Sequence, residues 1–104
     1  MVGENIEKIK QYVGEISKIC KIDRAYVFGS FAKTGDIEKS DIDLALISDI
    51  FNEENFIQYL SRFLIISATN NLNIEPHLFS SKDLEDDFVR NEVIFKGIDI
   101  FEKA

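Results

Sequence analysis

Gly29-Ser30 and, after ten intervening residues, Asp41-Ile42-Asp43 are the residue types that phosphate and a divalent cation require. A glycine can adopt positive φ and let a phosphate approach the backbone, and the serine beside it offers a hydroxyl and an N–H. On a strand, Asp41 and Asp43 point the same way while Ile42 and Leu44 face the core. Two carboxylates held side by side repel each other, whereas a hard divalent ion accepts oxygen from both. Magnesium suits such a pair, because it takes one or two protein carboxylates and leaves its other positions to water and substrate phosphates. In that chemistry a second metal about 3.5–4 Å away activates an attacking hydroxyl for in-line displacement. A third carboxylate is then required.

Glu75 is the candidate, since the strand expected around Ile74-Glu75-Pro76 can lie beside the one carrying Asp41 and Asp43. Asp99, near the C-terminus and also in an apolar, strand-like setting, is the alternative. Asp86 and Asp87 read instead as a charged helical face. His77 follows Glu75 by two residues and so shares its side of the strand, where it either contacts nucleotide or acceptor or serves as a hydrogen-bonded structural histidine. Lys33 and Lys39 lie between the two halves of the motif, where a cation meets a triphosphate or is simply solvated.

These residues need strands to hold them. Arg24 to Phe28 reads as a strand that Gly29 ends, and Asp41 to Ile47 as a second, with Gly35-Asp36 marking a turn between them. Before them, Ile6, Ile9, Val13, Ile16 and Cys20 recur at helical steps against a charged opposite face, which places Cys20 as a small buried hydrophobe. Phe56, Leu60, Phe63 and Leu64 predict a helix from near Glu53 to near Ala68, and Asn73 to Phe79 a third strand. Ser80-Ser81-Lys82-Asp83 resembles a capping box and predicts a third helix with Leu84, Phe88 and Phe95 on its apolar side and Gly97 at its stop. Ile98 to Phe101 can close the chain as a short strand. The order α-β-β-α-β-α-β describes an α/β (α+β) architecture, a small mixed sheet covered by helices.

The chain's 104 residues fit one domain, spanning 1–104, with 45% hydrophobic and 30% charged residues. A formal net charge of −7 weighs against stable nucleic-acid binding, which relies on lysine and arginine to neutralise phosphates. One cysteine and one histidine exclude an intrachain disulfide and a Cys/His zinc cluster. With no signal peptide or long apolar run, the expectation is a cytoplasmic protein without membrane attachment.

The spacing Gly29-Ser30, ten residues, Asp41-x-Asp43 resembles the signature of the nucleotidyltransferase superfamily that includes DNA polymerase β. The string GSFAKTGDIEKSDIDLAL is similar to the minimal nucleotidyltransferases, one-domain proteins often paired with a HEPN-domain partner. The resemblance implies a mixed sheet with helices mainly on one face, two Mg2+ ions, and transfer of a nucleoside monophosphate from a triphosphate to a hydroxyl. It implies that Gly29 and Ser30 hold the nucleotide phosphates, that Asp41 and Asp43 bind both metals and that Glu75 stands at the third acidic position; Lys33, read as the loop cation that meets the triphosphate, joins the nucleotide contacts. In the HEPN-linked branch it further implies an antitoxin that uses ATP to adenylylate a tyrosine of its RNase toxin partner. Two other functions fit the same residues: a binding antitoxin that neutralises its partner by covering it, and a transferase acting on a small hydroxyl compound.

Overall fold

The computed structural model describes residues 2–29 and 42–101. Helix α1 (Val2–Ser17) leads into strand β1 (Arg24–Phe28), and strand β2 (Ile42–Ile47) leads through a polar connection into helix α2 (Phe56–Thr69). Strand β3 (Ile74–Phe79) follows, then a 3₁₀ turn (Ser81–Glu85), a π-helical segment (Val89–Phe95) and the short strand β4 (Ile98–Asp99). The strands form one mixed sheet in the order β3-β2-β1-β4, with β2 parallel to β3 and β1 antiparallel to both β2 and β4. β2 is thereby a central strand, paired with the whole of β1 on one side and the whole of β3 on the other.

The two faces of the sheet are filled differently, following the period-2 alternation of each strand. Ala25, Val27, Ile42, Leu44, Leu46 and Ile74 pack against Ile9, Tyr12, Val13 and Ile16 of α1 and Phe63 of α2. Tyr26, Phe28, Ala45 and Ile47 on the other face meet Val89 and Val93 of the π-helical segment. Both long helices thus cover one face, and the C-terminal segment covers part of the other. Two polar contacts tie the first layer together. The Tyr12 hydroxyl, buried and with its pKa pushed up by desolvation, donates to the Phe63 carbonyl at 2.7 Å. Ser67, also buried, donates to the Leu72 carbonyl at 2.7 Å and accepts from the Ile74 N–H at 3.2 Å, which joins the end of α2 to the start of β3.

Three local expectations are corrected. Helix α1 ends at Ser17, so Cys20 lies in the following turn; it still packs against the core, and burial pushes its thiol pKa up. Helix α2 starts at Phe56 rather than near Glu53, because Asn52 Oδ1 accepts from the Glu54 and Asn55 N–H groups and holds that stretch as a turn. The third helix is not continuous. Asp86 is extended (ψ 134°) and its carboxylate accepts from the Phe88 and Val89 N–H groups, which separates the 3₁₀ turn from the π-helical segment and shifts the buried positions to Val89 and Val93. Phe88 and Phe95 are therefore exposed. Among the described residues, no helix is long and apolar enough to cross a membrane.

Candidate active site

Asp43 sits one residue into β2, on the face opposite Ile42 and Leu44, both of which are fully buried. The register of the parallel pair sets Glu75 directly beside it and His77 beside Ala45, so Asp43, Glu75 and His77 share one face of two adjacent strands. Across the antiparallel pair, Phe28 lies opposite Asp43 and Gly29 follows at the strand end. The site is thus assembled where β1 stops and β2 and β3 begin.

The local geometry is tight on the β1 side. Gly29 has φ +74°, a conformation that side chains rarely adopt. A Cβ at this position would collide with Oδ2 of Asp43 and stand 3.3 Å from its Cγ. Only a bare backbone lets the Asp43 carboxylate occupy this place. On the other side, His77 Nε2 lies 3.1 Å from Asp43 Oδ1, and the imidazole packs edge-on against the Phe28 ring with centroids 5.1 Å apart. Glu75 is exposed, while the Asp43 and His77 side chains keep 28% and 34% of their surface in solvent, so the cluster is reachable from outside.

Ligand atoms of Asp43, Glu75 and His77 all lie within 4.8 Å of one another. Ligands at about 2.1 Å from a metal are roughly 3 Å apart at right angles and about 4.2 Å apart when opposite, so the 3.1 Å between Asp43 and His77 already matches and the wider span asks a small inward movement of exposed Glu75. Two hard carboxylates on one open edge also match the donor set that a nucleotide-bound cation takes. Asp99, by contrast, lies on β4, separated from β2 by β1, where it pairs with Tyr26 and accepts from the Phe101 N–H at 3.0 Å. Two strand spacings, about 9.5 Å, separate its strand from that of Asp43. Ser30, Lys33, Lys39 and Asp41, together with the Gly35-Asp36 turn, lie outside the described residues. Asp87 pairs with Arg90 at 3.0 Å on the exposed C-terminal segment, away from the sheet edge.

The contact between Asp43 and His77 is the feature that sequence spacing did not reveal. It depends on the parallel register, which brings residues 34 positions apart into hydrogen-bonding distance. The period-2 step from Glu75 was the one available signal, and it placed His77 on the correct face. A separate open groove of about 930 Å³ is lined by Asp49, Phe51, Phe56, Leu78, Ser80 and Lys82 at the other ends of β2 and β3. It contains none of the Asp43, Glu75 and His77 cluster, so the acidic edge and this groove are distinct places.

Comparison with known proteins bears on the family and the fold. The sequence profile of the family described as "Polymerase beta, Nucleotidyltransferase" matches residues 7–104. The fold is similar to the crystal structure of a candidate nucleotidyltransferase from Sulfolobus solfataricus, with a TM-score of 0.58 and 20% identity over 77% of this chain and 70% of that one. No curated protein sequence gives a significant match.

Proposed function

Because the chain belongs to the polymerase β nucleotidyltransferase family, we propose that it transfers AMP from ATP to a tyrosine hydroxyl of a partner HEPN-domain RNase and so acts as the antitoxin of that toxin in the cytoplasm. The observation that carries the transferase reading is the side-by-side placement of Asp43 and Glu75 at an open sheet edge, with the Gly29 backbone against Asp43. In the reaction, the acceptor hydroxyl oxygen attacks the α-phosphorus and gives up its proton to solvent, the bond to the bridging oxygen of the β-phosphate breaks, and pyrophosphate leaves. Asp43 and Glu75, with Asp41, would hold the divalent ions, for which Mg2+ is the expectation from carboxylates alone. Bound there, such ions neutralise phosphate charge and lower the pKa of an attacking hydroxyl.

The chain's own residues supply the rest. Gly29 keeps the strand end free of a side chain, so the Asp43 carboxylate can lie against the main chain there. Ser30 and Lys33 complete the nucleotide contacts in this reading. A protein acceptor agrees with two surface properties. The net charge of −7 disfavours a nucleic-acid backbone as acceptor. Helix α2 exposes Ile57, Leu64 and Ile65 as well as burying Phe63, and a helix that is apolar on both sides is suited to a partner on its open side.

Intact mass of the co-purified partner after incubation with divalent ion and each of the four nucleoside triphosphates tests the proposal. Whole AMP increments with ATP, absent for Asp43→Ala and strongly reduced for Glu75→Gln, are expected. Full neutralisation of the partner by Asp43→Ala without any mass change would replace it with the binding antitoxin.

A further inference from the structure

We infer that His77 is a nitrogen ligand of the divalent ion, and that it biases the site toward Mn2+ and related transition ions over Mg2+. The inference rests on the nucleotidyl-transfer reading and concerns which ion that site takes. His77 Nε2 stands 3.1 Å from Asp43 Oδ1, the separation expected for two ligands at right angles on one ion with bonds near 2.1 Å. Glu75 completes a set whose ligand atoms converge within 4.8 Å. The ring is held for this purpose: β3 fixes its face of the sheet, and the edge of Phe28 fixes its tilt at 64° with centroids 5.1 Å apart.

The donor set has a chemical consequence. An all-oxygen site suits Mg2+, a small hard ion that retains water, whereas an imidazole nitrogen is a softer donor whose affinity rises along the first-row ions from Mn2+ to Co2+. One nitrogen among the carboxylates therefore raises affinity for Mn2+ and Co2+ while adding little for Mg2+. If His77 only hydrogen-bonded Asp43 and oriented its carboxylate, removing it would weaken every ion alike. The ratio of affinities separates the two roles.

The test uses the intact chain with Mn2+ and Mg2+ as probes, without nucleotide. Because His77 is the sole histidine, an imidazole ¹⁴N coupling in the electron spin-echo spectrum of bound Mn2+ has one source. The coupling is expected in the wild type and absent from His77→Ala and His77→Gln. Mn2+ affinity is expected to fall in both variants by about tenfold or more, on the scale that metal sites lose with a partner residue, while Mg2+ affinity changes little, so the Mn2+/Mg2+ ratio falls with it. Side-chain exposure of 34% favours folding of both, checked by thermal unfolding, and Gln retains a polar group facing Asp43. Binding that depends on Asp43, shows no nitrogen coupling and keeps its ion ratio in both variants would overturn the inference while leaving the transferase reading in place. Binding unaffected by Asp43→Ala would overturn both.

Discussion

The Asp43 carboxylate is held by what its neighbours lack as much as by what they offer. Gly29 contributes no side chain, at a φ that other residues adopt only with strain, and the carboxylate fills the volume a Cβ would take. Gly29→Ala is therefore expected to cost about 1–2 kcal/mol for the left-handed backbone, with a further loss from displacing Asp43. Thermal unfolding and Mn2+ titration of the variant measure the two parts, and metal affinity should fall together with stability. Unchanged metal affinity would show that Asp43 does not need this position. At this scale the sequence was informative about identity: glycine after a strand and an aspartate spaced two residues from another are visible without coordinates. The pairing of Glu75, rather than Asp99, with Asp43 was not settled there, because strand order and register arise from contacts distant in sequence.

Strand β3 carries both Glu75 and His77, so its attachment decides how well the site is formed. Ser67, buried near the end of α2, satisfies the Leu72 carbonyl and the Ile74 N–H immediately before Glu75. Ser67→Ala leaves both groups short of a partner and is expected to destabilise the fold by about 1–3 kcal/mol. Chemical denaturation reads that loss directly; a change within experimental error would mean that the contact contributes nothing net. The regular elements were legible from sequence, since α1 shows a helical stripe that packs on the core and β1 and β2 are short apolar runs buried on both faces, whereas of the α2 stripe only Phe63 enters the core and Phe56 and Leu64 are exposed. The C-terminal helix was not, because Asp86 competes for backbone N–H groups and breaks the helical period that Leu84, Phe88 and Phe95 suggested. Local side-chain capping of this kind alters the phase of a segment without altering its composition.

On the whole molecule, acidic charge and apolar helix surface are the properties on which the proposed protein partner rests. Ile57 and Ile65 of α2 are 64% and 65% exposed, and Arg62 is the only charged residue in that helix. Ile65→Glu is expected to release the proposed partner, read by co-purification or gel filtration, while unfolding temperature and Mn2+ affinity stay at wild-type values. Retained association would move the interface elsewhere. The matched family profile covers residues 7–104, which ties nearly the whole chain to one reaction class while leaving the acceptor to be identified by chemistry.

The reaction class is tested most directly by following the two ends of the triphosphate in parallel incubations of the chain, its co-purified partner, divalent ion and ATP labelled at the α- or the γ-phosphate. Nucleotidyl transfer at Asp43 and Glu75 predicts that the α-label becomes covalently attached to the partner and the γ-label leaves in pyrophosphate, with both events lost in Asp43→Ala. Attachment of the γ-label, or α-label transfer that survives Asp43→Ala, would contradict it.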